Sequence, residues 1–373
     1  MKRLGAVVAF AFAVAASAAT AGTLKTSAVL TTEVDDLVKG GLNRGAQSIN
    51  NVDLTAVWSG DNGWEAHGYV LGDFGGGFSA NRVGDAQVVS NIDAIPAWRL
   101  YEAYIKKTSD DGHLITSFGL MNLNGVFDVE KAARLMENPS HGIGPEYSQT
   151  GPSIFPVTSL GAMVTWVVAK DFKVRGGVFD GVAGDPAHPK TFVAIHLSRR
   201  DGVNYITEAE KDFSHGYIRV DHWGYTSRWD RIDGQGSQSG NSGNFAQAAV
   251  STTPYPNGMT DGINGWLRVG EADAQVNAID RYLGYGVTLP GLAKGDRMGA
   301  AVAGVHFGHA FQAATPGQGP RETNYELTYT HTLTDRLSVQ PDIQYIHRPY
   351  GRAATPDATV ISLRLVVDLA GSS

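Results

Sequence analysis

The chain has 373 residues and no cysteine, with 37 acidic against 30 basic side chains and a formal net charge of −7. Lack of cysteine excludes disulfides, thiolate catalysis and thiolate zinc sites, and the acidic balance argues against nucleic acid as a partner, because phosphate contacts need clustered Lys and Arg. Glycine is abundant, at 46 residues, and charged residues make up only 18%, a mix that suits strands and turns better than helices.

The chain opens Met1-Lys2-Arg3, continues with an uncharged apolar run from Leu4 to Ala16, and reaches small residues ending Ala19-Thr20-Ala21. That order reads as a secretory signal peptide over 1–21, cleaved after Ala21 or, as second choice, after Ala18. The mature domain is then 22–373. No later apolar stretch approaches the roughly 18 residues of a transmembrane helix.

Downstream, alternation of apolar and polar residues predicts strands at 26–34, 51–59, 64–74, 97–107, 113–122, 160–169, 172–179 and 202–210. It continues at 216–226, 243–252, 263–271, 279–289, 298–308, 322–333, 337–346 and 358–369. The last three are clearest: Tyr325, Leu327, Tyr329 and Leu333 alternate with Glu326, Thr328, Thr330 and Thr332, and the two following segments repeat the pattern. Segments of about ten residues with one greasy and one wet face are what a transmembrane strand needs. The fold class is therefore all-β, a transmembrane antiparallel β-barrel of sixteen strands. An even count fits closure, which alone satisfies all backbone groups in lipid. Outward Leu327 and Leu365 are expected to reject charge, and inward Thr328 and Gln344 to accept it.

Parity sorts the connections: tight turns at 61–63, 110–112, 170–171 and 334–336 fall on the periplasmic side. Long connections at 75–96, 123–159, 180–201 and 227–242 fall outside. One short helix is predicted, Val129–Glu137, with Asp128 as N-cap, and Gly234–Gly243, reading GQGSQSGNSG, reads as flexible loop.

His306 and His309, three apart on a predicted strand, would face opposite sides and could not share a metal. No G-x-S-x-G, H-E-x-x-H or phosphate-loop motif occurs in a fitting context, and no metal or cofactor is expected. A pore needs a constriction with charges that set selectivity, and Arg can donate paired hydrogen bonds to sugar hydroxyls. The candidates are Arg44, Arg82 and Arg99 with Asp85, Asp93 and Glu102. Trp98, Tyr101 and Tyr104 offer flat faces to a sugar ring or, alternatively, belong to an interfacial aromatic girdle. Each taken alone also reads as an ordinary loop or lumen residue.

Several longer segments resemble one family. These are Gly84–Ala94 (GDAQVVSNIDA), Ala97–Ala103 (AWRLYEA), Tyr147–Pro156 (YSQTGPSIFP) with Leu160-Gly161, Gly177–Gly181 (GVFDG), Glu326–Tyr329 (ELTY) and Gln340–Tyr345 (QPDIQY). In that order they resemble the OprB-type carbohydrate-selective porins along nearly all of the mature chain. The resemblance implies a sixteen-stranded outer-membrane barrel whose external loops fold inward to narrow the pore. It also implies passive diffusion of small neutral sugars, monosaccharides such as glucose, past Arg and acidic residues in the loops holding 84–94 and 148–156. One departure is the C-terminus, which ends Asp368-Leu369-Ala370-Gly371-Ser372-Ser373 where outer-membrane barrels usually end on an aromatic residue. Two other readings stay open: an outer-membrane barrel enzyme such as a lipid hydrolase, and a general or adhesive barrel with a plugged pore. Expected partners are the sugar solutes and outer-membrane lipid, and the oligomeric state is monomer or trimer.

Overall fold

The computed structural model describes residues 22–255 and 262–370; the signal-peptide reading lies outside them. Among the described residues, sixteen antiparallel strands close into one barrel. Each strand pairs with its neighbours in sequence, and the first pairs with the last. The strands are β1 (Gly22–Lys39), β2 (Gly45–Gly60), β3 (Trp64–Phe74), β4 (Ala97–Thr108), β5 (Leu114–Met121), β6 (Ser159–Ala169), β7 (Phe172–Asp180) and β8 (Val203–Phe213). The second half is β9 (Gly216–Asp230), β10 (Ser237–Ser251), β11 (Asn264–Ala272), β12 (Ile279–Pro290), β13 (Arg297–Phe307), β14 (Arg321–Thr334), β15 (Leu337–His347) and β16 (Ala358–Asp368).

Alternation drives the closure. On β9, Tyr217, Arg219 and Trp223 are buried while Ile218 and Val220 are exposed; on β16, Val360, Ser362 and Arg364 are buried while Ile361 and Leu363 are exposed. The barrel is thus apolar outside and polar within, the inverse of a water-soluble sheet. No helix among the described residues is long and apolar enough to cross a membrane.

Three local expectations are corrected. The GQGSQSGNSG segment is not a free loop: from Ser237 it is β10, paired to β9 across a bulge at Ser239–Asn241. Its outward residues are polar, so apolar alternation could not reveal it. The helix over Val129–Glu137 reduces to one 3-10 turn, Lys131–Ala133, capped by Glu130, whose carboxylate accepts from Ala132 N. Asp128 adopts a positive φ and turns its carboxylate to a buried Arg268 instead. That pairing joins two ionised groups by two hydrogen bonds and outweighs a single N-cap bond to a backbone N–H. Finally, β13 ends at Phe307 and His309 begins a short helix, so strand alternation does not apply to the pair. The His306 and His309 rings lie 6.2 Å apart.

The inner wall is not uniformly wet. Gln344 is fully buried and donates to Val89 O at 2.8 Å, and Thr328 is buried against Gln340 at 2.9 Å. The expectation that these inward positions accept charge is therefore revised, because the wall there is covered by chain rather than water. Arg at outward Leu327 or Leu363 is expected to cost about 2–4 kcal/mol near the bilayer midplane. Glu at Gln344 is expected to destabilise comparably, since it buries a charge and removes the donor to Val89. Reversible denaturant unfolding in phospholipid vesicles measures both; a Gln344→Glu barrel as stable as the parent would show that water reaches this wall.

Candidate permeation site

Two of the long connections turn into the barrel. The β3–β4 connection, 75–96, carries Phe78, Val83 and Val89 into a buried cluster with Leu37, Ile49, Ile346 and Val360 of the inner wall. Its backbone is held by side chains that the wall supplies. Glu322 accepts from Ala86 N at 2.8 Å and Gln87 N at 3.1 Å, and Arg364 donates to Asn91 Oδ1 at 2.9 Å. Inward polar residues on β14–β16 thus replace the water that this loop backbone would otherwise need.

The β5–β6 connection, 122–158, crosses further. Phe127, Ile143 and Tyr147 pack on Phe179, Trp223 and Phe245. Its charged anchor is Arg268 of β11, whose guanidinium grips two loop carboxylates. Nε reaches Asp128 Oδ1 at 2.7 Å and Nη2 reaches Asp128 Oδ2 at 2.6 Å, while Glu146 receives Nη2 at 2.7 Å and Nη1 at 3.1 Å. All three side chains are at most 2% exposed. Glycine is required where the chains meet, because a Cβ at Gly144 would strike Arg268 and one at Gly270 would strike Glu146. Glu326 accepts from Glu137 N at 2.5 Å and Asn138 N at 3.2 Å, and Tyr282 OH donates to Ser140 O at 2.7 Å. Asn91 N donates to Glu137 O at 2.8 Å, joining the two connections. His141 stands 3.9 Å from Glu326 and is almost fully buried; burial pushes its pKa down to about 3, so it is neutral there.

These two connections pack on the inner wall at points from β7 through β16 to β2. Several polar residues of the inner surface from β2 to β9 keep partial exposure. From β2–β4 come Asp53, Tyr69 and Glu102, with the Tyr69 hydroxyl donating to Asp53 and Glu102 accepting from Asn122 N at 3.1 Å. From β7–β9 comes a lattice of opposed charges, in which Lys173, Arg175 and Asp212 are half-buried and Glu208, Glu210 and Arg219 buried. Lys173 meets Asp212 at 2.8 Å and Glu210 at 3.1 Å; Arg175 meets Glu208 and, at 2.8 Å, Glu210; and Arg219 meets Glu210 at 2.7 Å. The crossing connection adds Lys131, whose Nζ donates to Tyr255 OH at 2.6 Å, and the exposed Arg134. Burial, and then the charge of Arg219, pulls the Lys131 pKa down to about 8.

The residues singled out from sequence fall in different places. Arg44 is exposed at the β1–β2 turn, and its carbonyl accepts from Arg82 Nη1 at 3.3 Å. Arg82 ties the 75–96 connection to that turn, its own carbonyl accepting from Leu42 N at 2.7 Å. Asp85 is buried, with neither oxygen hydrogen-bonded, and burial raises its pKa to about 6. Asp93 closes the turn at 79–83, accepting from Gly77 N and, at 3.0 Å, from Ser79 N. Arg99 is buried and donates to Asp73 at 2.6 Å and to the carbonyls of Ile95 and Pro189. Trp98 is opposite Gly72 and edge-on to exposed Phe74 at 5.6 Å, on the outer face of the sheet. Glu102 is half-buried, beside Tyr101 and Tyr104, which pack on Tyr69 and His67. Sequence reasoning missed Lys131, Lys173, Arg175, Arg219 and Arg268. Four of them lie on wet positions of alternating strands, which is the signal that could have found them.

With this geometry in place, the family profile described as carbohydrate-selective porin, OprB family, matches residues 46–369. The chain belongs to that family. As an OprB-family porin it is an outer-membrane channel, not an enzyme, and carbohydrates are its class of solute. The comparison with curated proteins found no match. Among solved structures, Pseudomonas putida OprB at high pH is similar with a TM-score of 0.81 and 21% identity, over 93% of this chain and 94% of that one. The low-pH structure of the same protein gives 0.58 and 16%, over 93% and 92%. The outer-membrane channel DcaP of Acinetobacter baumannii gives 0.59 and 8%, over 94% and 98%. At these identities the likenesses speak for the barrel fold.

Proposed function

We propose that this porin passes small neutral sugars, monosaccharides such as glucose, passively through the gap between the 122–158 connection and the β2–β8 wall. The observation that supports this is the charge lattice of Lys173, Arg175 and Arg219 with Glu208, Glu210 and Asp212. Its charges compensate one another, so the half-buried Lys173, Arg175 and Asp212, backed by the buried Glu208, Glu210 and Arg219, present donors and acceptors with a weak net field. A neutral polyol can exchange its hydration for these groups step by step and leave again, whereas an ion gains little there. Arg82 and Arg99 act on permeation indirectly in this reading, by holding the connection that narrows the opening. The same reading has residues 1–21 removed during export.

The test is swelling of liposomes containing the purified barrel, across sugars of increasing size and with charged analogues of matched size. Glucose is expected to enter faster than disaccharides and faster than gluconate or glucosamine. Equal rates for neutral and charged solutes of one size would overturn the charge-compensation argument.

A further inference from the structure

Beneath the junction of the two inward connections lies a group of carboxylates that permeation does not use. Glu33 and Asp35 are successive inward residues of β1, and Glu137 comes down on them from the 122–158 connection. Each offers an oxygen within 4.8 Å of the others, and all three are fully buried. Their hydrogen bonding is incomplete in a consistent way. Arg364 takes Glu33 Oε2 at 2.5 Å and Ser362 takes Asp35 Oδ1 at 2.5 Å. Glu33 Oε1, Asp35 Oδ2 and both oxygens of Glu137 have no hydrogen-bond partner. Glu137 is the independent pointer. It belongs to a different element, it is unexposed, and Arg364 Nε approaches it only to 3.5 Å. On β15, Asp342 lies beside Ser362 in register and also keeps Oδ2 without a partner.

We propose that Glu33, Asp35 and Glu137 form a calcium site that staples the 122–158 connection to β1. Ionised together, the three carboxylates outnumber the one guanidinium among them, and buried charges are stable only when paired or bound to metal. A divalent cation balances them. The four oxygens without hydrogen-bond partners are hard ligands in a buried, all-protein setting, which suits calcium better than magnesium, an ion that usually keeps several of its waters. Arg364 and Ser362 then orient the ligating carboxylates from behind. The ion would fix Glu137, and through the Asn91–Glu137 backbone bond it would fix both connections at once.

The experiment is calorimetric titration of calcium chloride into the barrel, purified free of lipopolysaccharide in an uncharged detergent and treated with EDTA. Thermal unfolding is followed in parallel. One ion per chain is expected, with a raised unfolding midpoint. Glu137→Gln and Asp35→Asn should each weaken binding at least about tenfold, the loss of roughly one ligand's contribution. Asp110→Asn, on the exposed 110–112 turn, keeps the three ligands and what holds them, and should bind one ion as before. Absence of saturable calcium binding by the parent barrel would overturn the site. So would undiminished binding by Glu137→Gln, or stronger binding of magnesium than of calcium. The parent titration decides even where a variant does not fold.

Discussion

Replacing Arg268 by alanine is expected to destabilise the folded barrel by about 3–5 kcal/mol, the cost of leaving buried partners of a broken ion pair uncompensated. Asp128 and Glu146 would then face each other with no cation between them. Both are fully buried, so neither gains hydration without moving. The guanidinium also lies over the Phe245 ring at 4.5 Å and the Tyr282 ring at 5.2 Å, so packing is lost as well as charge. The least costly response is for the 122–158 connection to lift from β11, which widens the lumen. Denaturant midpoints in vesicles should fall, and single-channel conductance should rise. A triple variant, Arg268→Met with Asp128→Asn and Glu146→Gln, should recover much of the stability, because removing a buried charge set costs less than breaking it. If Arg268→Ala unfolds at the parent's midpoint, the grip seen between these three side chains does not hold the connection.

How much of this was legible beforehand differs by level. The barrel is written into single strands: Leu327 beside Thr328 and Ile361 beside Ser362 state inside and outside without knowledge of any partner. The charge lattice is half written. Arg175, Glu208, Glu210 and Arg219 all occupy wet positions, but their pairing depends on register, which opposes Arg175 to Glu208 and Glu210 to Arg219. A one-residue slip would separate them. The anchoring of the inward connections is not written locally at all. Asp128 and Arg268 are separated by 140 residues and meet only when the barrel closes. Asp128 therefore reads as a helix N-cap from its neighbours alone. Trp98 shows the converse, since a bulge at Tyr101, between the Val70–Leu100 and Tyr69–Glu102 pairs, shifts which residues of one strand face inward. Simple alternation through β4 cannot register it.

Selectivity of this channel is expected to depend on pH through Lys131. Its ammonium sits on the crossing connection, over the rings of Tyr217 at 5.7 Å and Tyr255 at 5.0 Å, and burial lowers its pKa to about 8. Below about pH 8 the side chain is charged and repels cations at the narrowed lumen; above it the charge is lost while the neighbouring carboxylates keep theirs. Reversal potentials in a potassium chloride gradient should therefore move towards cation selectivity as pH rises from 7 to 9. Lys131→Gln should show the high-pH value throughout, and Lys131→Arg, whose guanidinium stays protonated, should hold the low-pH value at both ends. Transport of neutral glucose should change little over the same range, because no hydroxyl of the sugar requires that charge. A parent channel whose reversal potential does not move between pH 7 and 9 would place Lys131 outside the ion path. The solute route would then run along Asp53 and Glu102 instead.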